Sequence, residues 1–377
     1  MKFKTLAVAF VVALAVLGIA PGTQASPSVV RSLDGFHHSS GVAFSVDGSL
    51  AYVVQNDDGT MGGLASLVVV DTRTLSRVGE TLSTGIVGAG VNHAIAMAPN
   101  GMKAYLSLGE GKVLPFSPST LTFGTPITVG TSGTGQIAFT PDGTQAYVAV
   151  ANNGSGTAVK VIDVASDTVV TTIAACTAPD GVVITPDGAK AFVNCSDGNV
   201  VVINTATNIV ANMFTPTGHL QGTTIVMSPD GSQVYATAFA IPSTITTVIN
   251  TATLATEHVF TNEPKDLAFS GDARIAYIFS ASSGDLIPTD PSTFAANNAI
   301  DVTPPRPGDW FLVDRNPVSE QYWITGGNFM YVVGDPTELA ETGLDIGQAL
   351  SVTALGALLL GVGMTLMVTV RRRGSPS

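Results

Sequence analysis

His37, His38, His93 and His219, four of the five histidines in the chain, each stand a few residues ahead of a short apolar run. Polar residues hold matching places elsewhere: Asn92, Gln136, Asp180, Gln221, Lys265 with Asp266, and Arg306 with Asp309. Imidazole titrates near neutral pH and is the commonest ligand for transition metals, so histidines gathered beside carboxylates would suit acid/base work or metal binding. No His-x-His or His-Glu-x-x-His spacing brings two of them together locally. A site made from them therefore needs a fold that collects distant segments.

Other chemistry-bearing residues read as structural. Asp47, Asp142, Asp187 and Asp230 recur in one kind of turn, so they are repeat residues rather than paired catalytic carboxylates. The run Asn56-Asp57-Asp58-Gly59-Thr60 is similar to part of a calcium loop, but the downstream acidic ligand and the flanking helices are missing. No nucleophile elbow, phosphate-binding loop or zinc motif is present, and no cofactor is expected. The spacing names no metal ligand set.

The elements that would position these residues come from a repeat. A β-branched run, a turn of the Pro-Asp-Gly kind, a small residue and an aromatic recur at Asp47-Gly48 with Tyr52, Asn100-Gly101 with Tyr105, Asp142-Gly143 with Tyr147, Asp187-Gly188 with Phe192, Asp230-Gly231 with Tyr235, and Gly271-Asp272 with Tyr277. A degenerate seventh copy follows at Asp314-Arg315-Asn316-Pro317 with Tyr322. The aromatics are spaced by 53, 42, 45, 43, 42 and 45 residues, a period that holds four short strands and their turns. A third strand in several copies ends in Asp or Asn before Thr or Ala, as at Asp71-Thr72 and Asn204-Thr205.

These phrases resemble the YVTN family of β-propeller repeats, most clearly where Ala146-Tyr147-Val148-Ala149-Val150 leads to Val161-Ile162-Asp163, and where Ala191-Phe192-Val193-Asn194 leads to Ile203-Asn204-Thr205. The resemblance covers most of residues 28–335 and implies an all-β, seven-bladed β-propeller. It carries little about function, since propellers of this kind serve as surface proteins, binding modules and occasionally enzymes. Copy seven lacks a fourth strand, which Ser28–Leu33 is expected to supply, so that both termini share one closing blade. An extended loop, Gln55 to Leu64, is expected in blade 1. In this arrangement the residues ahead of each first strand ring one mouth of the central channel. His37, His38, His93, His219, Gln136, Asp180, Asp266 and Asp309 are the candidate binding residues there. Cys176 would precede the first strand of blade 4 and Cys195 would end its second, so a disulfide between them is expected; the alternative is two buried thiols.

Both ends of the chain read as targeting segments. Lys2 and Lys4 precede an apolar run from Leu6 to Ala20, and Thr23-Gln24-Ala25 offers small residues for cleavage, which predicts a signal peptide over 1–25. Near the other end, Leu339-Ala340-Glu341-Thr342-Gly343 precedes 25 uncharged residues from Ile346 to Val370 and then Arg371-Arg372-Arg373. That span is long enough to cross a bilayer as a transmembrane helix, with the arginines held inside. The order resembles sortase sorting signals, with Ala340 where the commonest form has proline, and implies cutting between Thr342 and Gly343. The expected organisation is a signal peptide at 1–25, a propeller at 26–336, linker and sorting motif at 337–343, a membrane segment at 344–370 and a basic tail at 371–377.

The chain carries a formal charge of −12, which argues against nucleic acid or an anionic membrane surface as partners through a general field. The expected partners are a sortase, peptidoglycan, and an extracellular protein or glycan, with the membrane holding the C-terminal helix before sorting. The leading expectation is a non-enzymatic surface binding or adhesion module, attached to the cell wall or to the membrane with the propeller outside. The alternative is a metal-binding protein or a lactonase-like hydrolase that uses the histidine-bearing channel mouth.

Overall fold

The computed structural model describes residues 28–57, 62–88, 93–151, 154–216, 218–240, 243–280, 282–302, 311–326 and 329–334. The expected signal peptide, sorting motif, membrane segment and Asp309 lie outside the described residues. Within them the chain folds into seven antiparallel sheets in sequence, each built outward from a first, inner strand.

Blade 1 uses Gly41–Phe44, Leu50–Asn56 and Leu64–Asp71, with an outer edge split into Ser76–Arg77 and Leu82–Val87. Blade 2 uses Ile95–Met97, Ala104–Leu108 and Lys112–Ser117, with two short outer pieces, Thr122–Phe123 and Ile127–Thr128. Blades 3, 4 and 5 are regular: Ile137–Phe139 to Thr168–Ala174, Pro179–Ile184 to Ile209–Phe214, and Gln221–Met227 to Thr256–Phe260. Blade 6 runs Pro264–Phe269, Ala276–Ser280, Asp285–Thr289 and a two-residue outer strand, Ile300–Asp301.

Blade 7 closes the ring with both ends of the domain. Its strands Phe311–Arg315, Tyr322–Gly326 and Phe329–Gly334 are completed by Ser28–Leu33, which pairs from Ser28 opposite Gly334 to Leu33 opposite Met330. The extended loop of blade 1 is shorter than expected, because its flanking strands run to Asn56 and start again at Leu64.

The repeat residues explain themselves at the turns and between the blades. In blade 1, Ser45 N binds Leu50 O at 2.9 Å while Asp47 accepts from Ser45 Oγ and, at 3.1 Å, from Ser49 N. Gly48 sits there at φ +67, where a side chain is disfavoured. The same arrangement recurs around Asp142, Asp187, Asp230 and Asp272, and the bonds hold each carboxyl below its ordinary value. The Asp or Asn ending a third strand caps the next turn, as Asp71 does by accepting from Thr74 N at 2.7 Å.

The aromatic of each second strand leans into the following blade. Tyr52 meets Phe116, Tyr105 stacks on Phe139, Tyr235 meets Phe269, and Tyr147 and Phe192 join the cores shared with blades 4 and 5. Hydrophobic cores thus lie between blades rather than within them. The seventh aromatic of the repeat is Trp323, not Tyr322. Asn316 N binds Gln321 O as Ser45 N binds Leu50 O, which sets Trp323 level with Tyr52. Its ring is fully buried and lies 5.6 Å from Phe44 of blade 1. Tyr322 instead faces back to Tyr277, 4.2 Å away.

Cys176 and Cys195 form a disulfide, with Cα atoms 6.2 Å apart beside the paired residues Pro179 and Cys195. It closes a loop of sequence separation 19, for which chain entropy gives about 3 kcal/mol of stabilisation.

Candidate functional site: a histidine clasped across the channel

The inner strands leave a cavity of about 320 Å³ along the ring axis, with His93 and Gln136 near the starts of these strands and Pro229 and Arg315 near their ends. Two residues before the turn-opening Ser45, Ala98, Thr140, Thr185, Ser228, Ser270 and Asn316 stand Ala43, Ala96, Ala138, Val183, Val226, Ala268 and Asp314. Val183, Val226, Ala268 and Asp314 line the cavity. At this register the wall is apolar except for one carboxylate, Asp314, while His93, Gln136 and Arg315 add polar groups towards the two ends.

Asp314 faces His93. The histidine's Nδ1 lies 3.5 Å from Asp314 Oδ1, and its Nε2 lies 3.2 Å from Asp266 Oδ2, at ion-pair distance but out of line for a hydrogen bond. His93 is mostly buried and Asp266 is only 1 % exposed. Burial opposes charge on the imidazole, yet the two carboxylates outweigh it and hold the His93 pKa well above its usual value. Burial pushes Asp314 upward, against the pull of His93.

Each carboxylate also binds the backbone of the next blade. Asp266 Oδ2 accepts from Val313 N at 2.8 Å, and Asp314 Oδ2 accepts from Val42 N at 3.4 Å. Elsewhere neutral groups stitch the inner ring: Ala94 N donates to Ser40 O, Gln136 N to Asp180 O, and Asn194 Nδ2 to Thr224 O. Close approach of blades 1 and 2 needs Gly41, since a Cβ there would stand 2.7 Å from Ala94 N. The clasp joins blade 2 to blades 6 and 7 across the channel, and those carboxylates tie blades 6, 7 and 1 along the ring.

The remaining expected residues are dispersed. His37 is exposed, and its backbone N donates to Gln55 Oε1 at 3.3 Å. His38 is half-buried at φ +46. His219 is buried away from the axis, its Nδ1 3.1 Å from Gly198 O, and burial lowers its pKa. Gln136 lines the cavity with a buried side-chain oxygen that has no partner among the described residues. Asp180 is pushed up to about 6 by burial. Lys265, in the matching register of blade 6, is lowered by burial and sits 5.7 Å from the centre of the Phe239 ring.

Among the described residues, no three His, Cys, Asp or Glu side chains converge as a metal site would require. Asp266 and Asp314 lie on opposite nitrogens of His93 and so share no common point for an ion. Asp314 joins the candidate site although it is not among the residues expected there from sequence. Its signal is register: it is the one charged residue in a ring of alanines and valines.

Compared with known proteins, the chain matches no family model and no curated protein.

Proposed function

We propose that this protein is an exported, cell-wall-attached propeller that serves as a non-enzymatic binding or adhesion module for extracellular protein or glycan. The observation that carries this reading is the closing blade: Ser28–Leu33 and Phe329–Gly334 pair along their length, and Leu339 follows five residues after Gly334. A tether at Thr342 would then hold the disc at one edge and leave its other edges and faces free. The YVTN-like repeats, the signal peptide and the Leu-Ala-Glu-Thr-Gly signal with its apolar span and arginines support export and sortase attachment.

The clasp favours binding over catalysis. A general base near neutral pH needs a proton-free nitrogen, and His93 is held charged between two carboxylates that already serve the backbone. Cell fractionation of a Thr342→Ala variant tests the attachment. The variant should stay in the membrane fraction, and release by muramidase at the wild-type level would refute the sortase reading.

A further inference from the structure

A second cavity, of about 230 Å³, opens on the rim of the disc between blades 5 and 6. It follows from a fault in the outer edge of blade 6. Ala296 pairs with Thr289 and Ile300 with Leu286, so residues 297–299 face only Ile287 and Pro288. Pro288 has no N–H to offer an outer strand, and the extra residue bulges the edge away from Ile287. Bulges of this kind are over-represented beside functional sites.

The cavity is aromatic on one side and polar at its rim. Phe294 is held at φ +59, a backbone conformation disfavoured for a bulky residue, and stacks on His258 with centroids 4.5 Å apart and 11° between planes. Phe260 meets both rings edge-on. Thr261 and Asn262 line the pocket, are exposed, and have side chains uncommitted to the described residues. No Asp, Glu, Lys or Arg lines it.

We propose that this pocket binds a single uncharged pyranose ring of a surface glycan. The inference rests on the binding-module reading above and gives it a site and a ligand class. An apolar wall with a few placed polar groups is the usual make-up of a small-molecule site. The negative faces of aromatic rings attract the weakly positive C–H face of a sugar, while the Asn262 amide and Thr261 hydroxyl answer its hydroxyls. The sugar comes either from the cell's own wall, as an N-acetylated amino sugar, or from a foreign surface, as a neutral hexose.

Saturation-transfer NMR on the full chain in a sugar-free detergent, titrated with N-acetylglucosamine, galactose, mannose and glucose, tests this. Phe294→Leu keeps the fold, because Leu75, Leu121 and Leu254 hold the corresponding turn position at positive φ in blades 1, 2 and 5. Asn262→Ala changes an exposed residue. The expected result is saturable binding of at least one sugar, weakened tenfold or more in both variants at unchanged Tm. Preference for N-acetylglucosamine supports the pocket with the wall as source, and preference for a hexose supports it with a foreign glycan. Absence of binding to all four sugars, or binding that neither variant weakens, overturns the proposal. Adhesion of whole cells that persists in both variants would overturn this pocket and leave the surface-module reading standing.

Discussion

His93 of blade 2 reaches across the channel to Asp266 of blade 6, with Nε2 3.2 Å from Oδ2. A charge placed between a buried carboxylate, Asp266, and a half-buried one, Asp314, couples ring closure to protonation. The histidine's pKa is raised on folding, so its contribution is complete below the unfolded value of about 6.5 and is lost as pH rises through the folded value. Wild-type Tm should therefore fall on the alkaline side. His93→Gln should cost about 3 kcal/mol near neutral pH, the lower end for a broken buried pair, because it leaves buried Asp266 and half-buried Asp314 without their cation. The alkaline fall should vanish in that variant; thermal melts from pH 6 to 10 read both effects.

Asp180 predicts the opposite sign. Its carboxyl is raised to about 6, so between about pH 4 and 6 the unfolded chain ionises first and the folded state loses ground. Asp180→Asn should raise stability by about 1 kcal/mol at pH 7.5, a figure reduced from the full shift because the residue is only half-buried, and should change little at pH 4. Paired melts at the two pH values check this.

At Ala273 a local rule is broken. The Ser270-Gly271-Asp272-Ala273 turn repeats the bonds of Ser45-Val46-Asp47-Gly48, but its left-handed position, φ +60, holds alanine. Such a conformation costs an L residue about 1–2 kcal/mol, and glycine's greater unfolded freedom returns about 0.4–1 kcal/mol. Ala273→Gly should stabilise by about 0.5–1 kcal/mol in a denaturant titration, whereas Gly143→Ala should destabilise.

Deleting Ser28–Leu33 removes the outer strand of blade 7 and bares the edge of Phe329–Gly334. An unpaired edge invites association between chains. The shortened protein should melt several degrees lower and aggregate on heating, which light scattering during the melt detects.

Much of the fold was legible because the same residue types do the same work in most blades. A buried aromatic marks each second strand, and an Asp-Gly or Asn-Gly turn precedes it in blades 1 to 5, so their spacing reports the blade period. The closing strand was legible by elimination, since Ser28–Leu33 had no hairpin partner of its own. The degenerate copy misled by one residue: Tyr322 and Trp323 are both aromatic, and only the turn bond from Asn316 to Gln321 fixes the register on Trp323. That same register puts Asp314 in the inner strand rather than in the turn. His93, Asp266 and Asp314 come from three blades, so their meeting depends on ring closure and not on any local spacing. His219 stands at a similar place in its repeat, yet its ring turns back to Gly198 and away from the axis.

Wall attachment is tested most directly by mass spectrometry of the protein released from intact cell walls by muramidase. The released protein should give a final peptide ending at Thr342 and joined to a peptidoglycan stem peptide, with residues 343–377 gone. Recovery of the protein only from membranes, with Gly343 and the apolar span still attached, would contradict it.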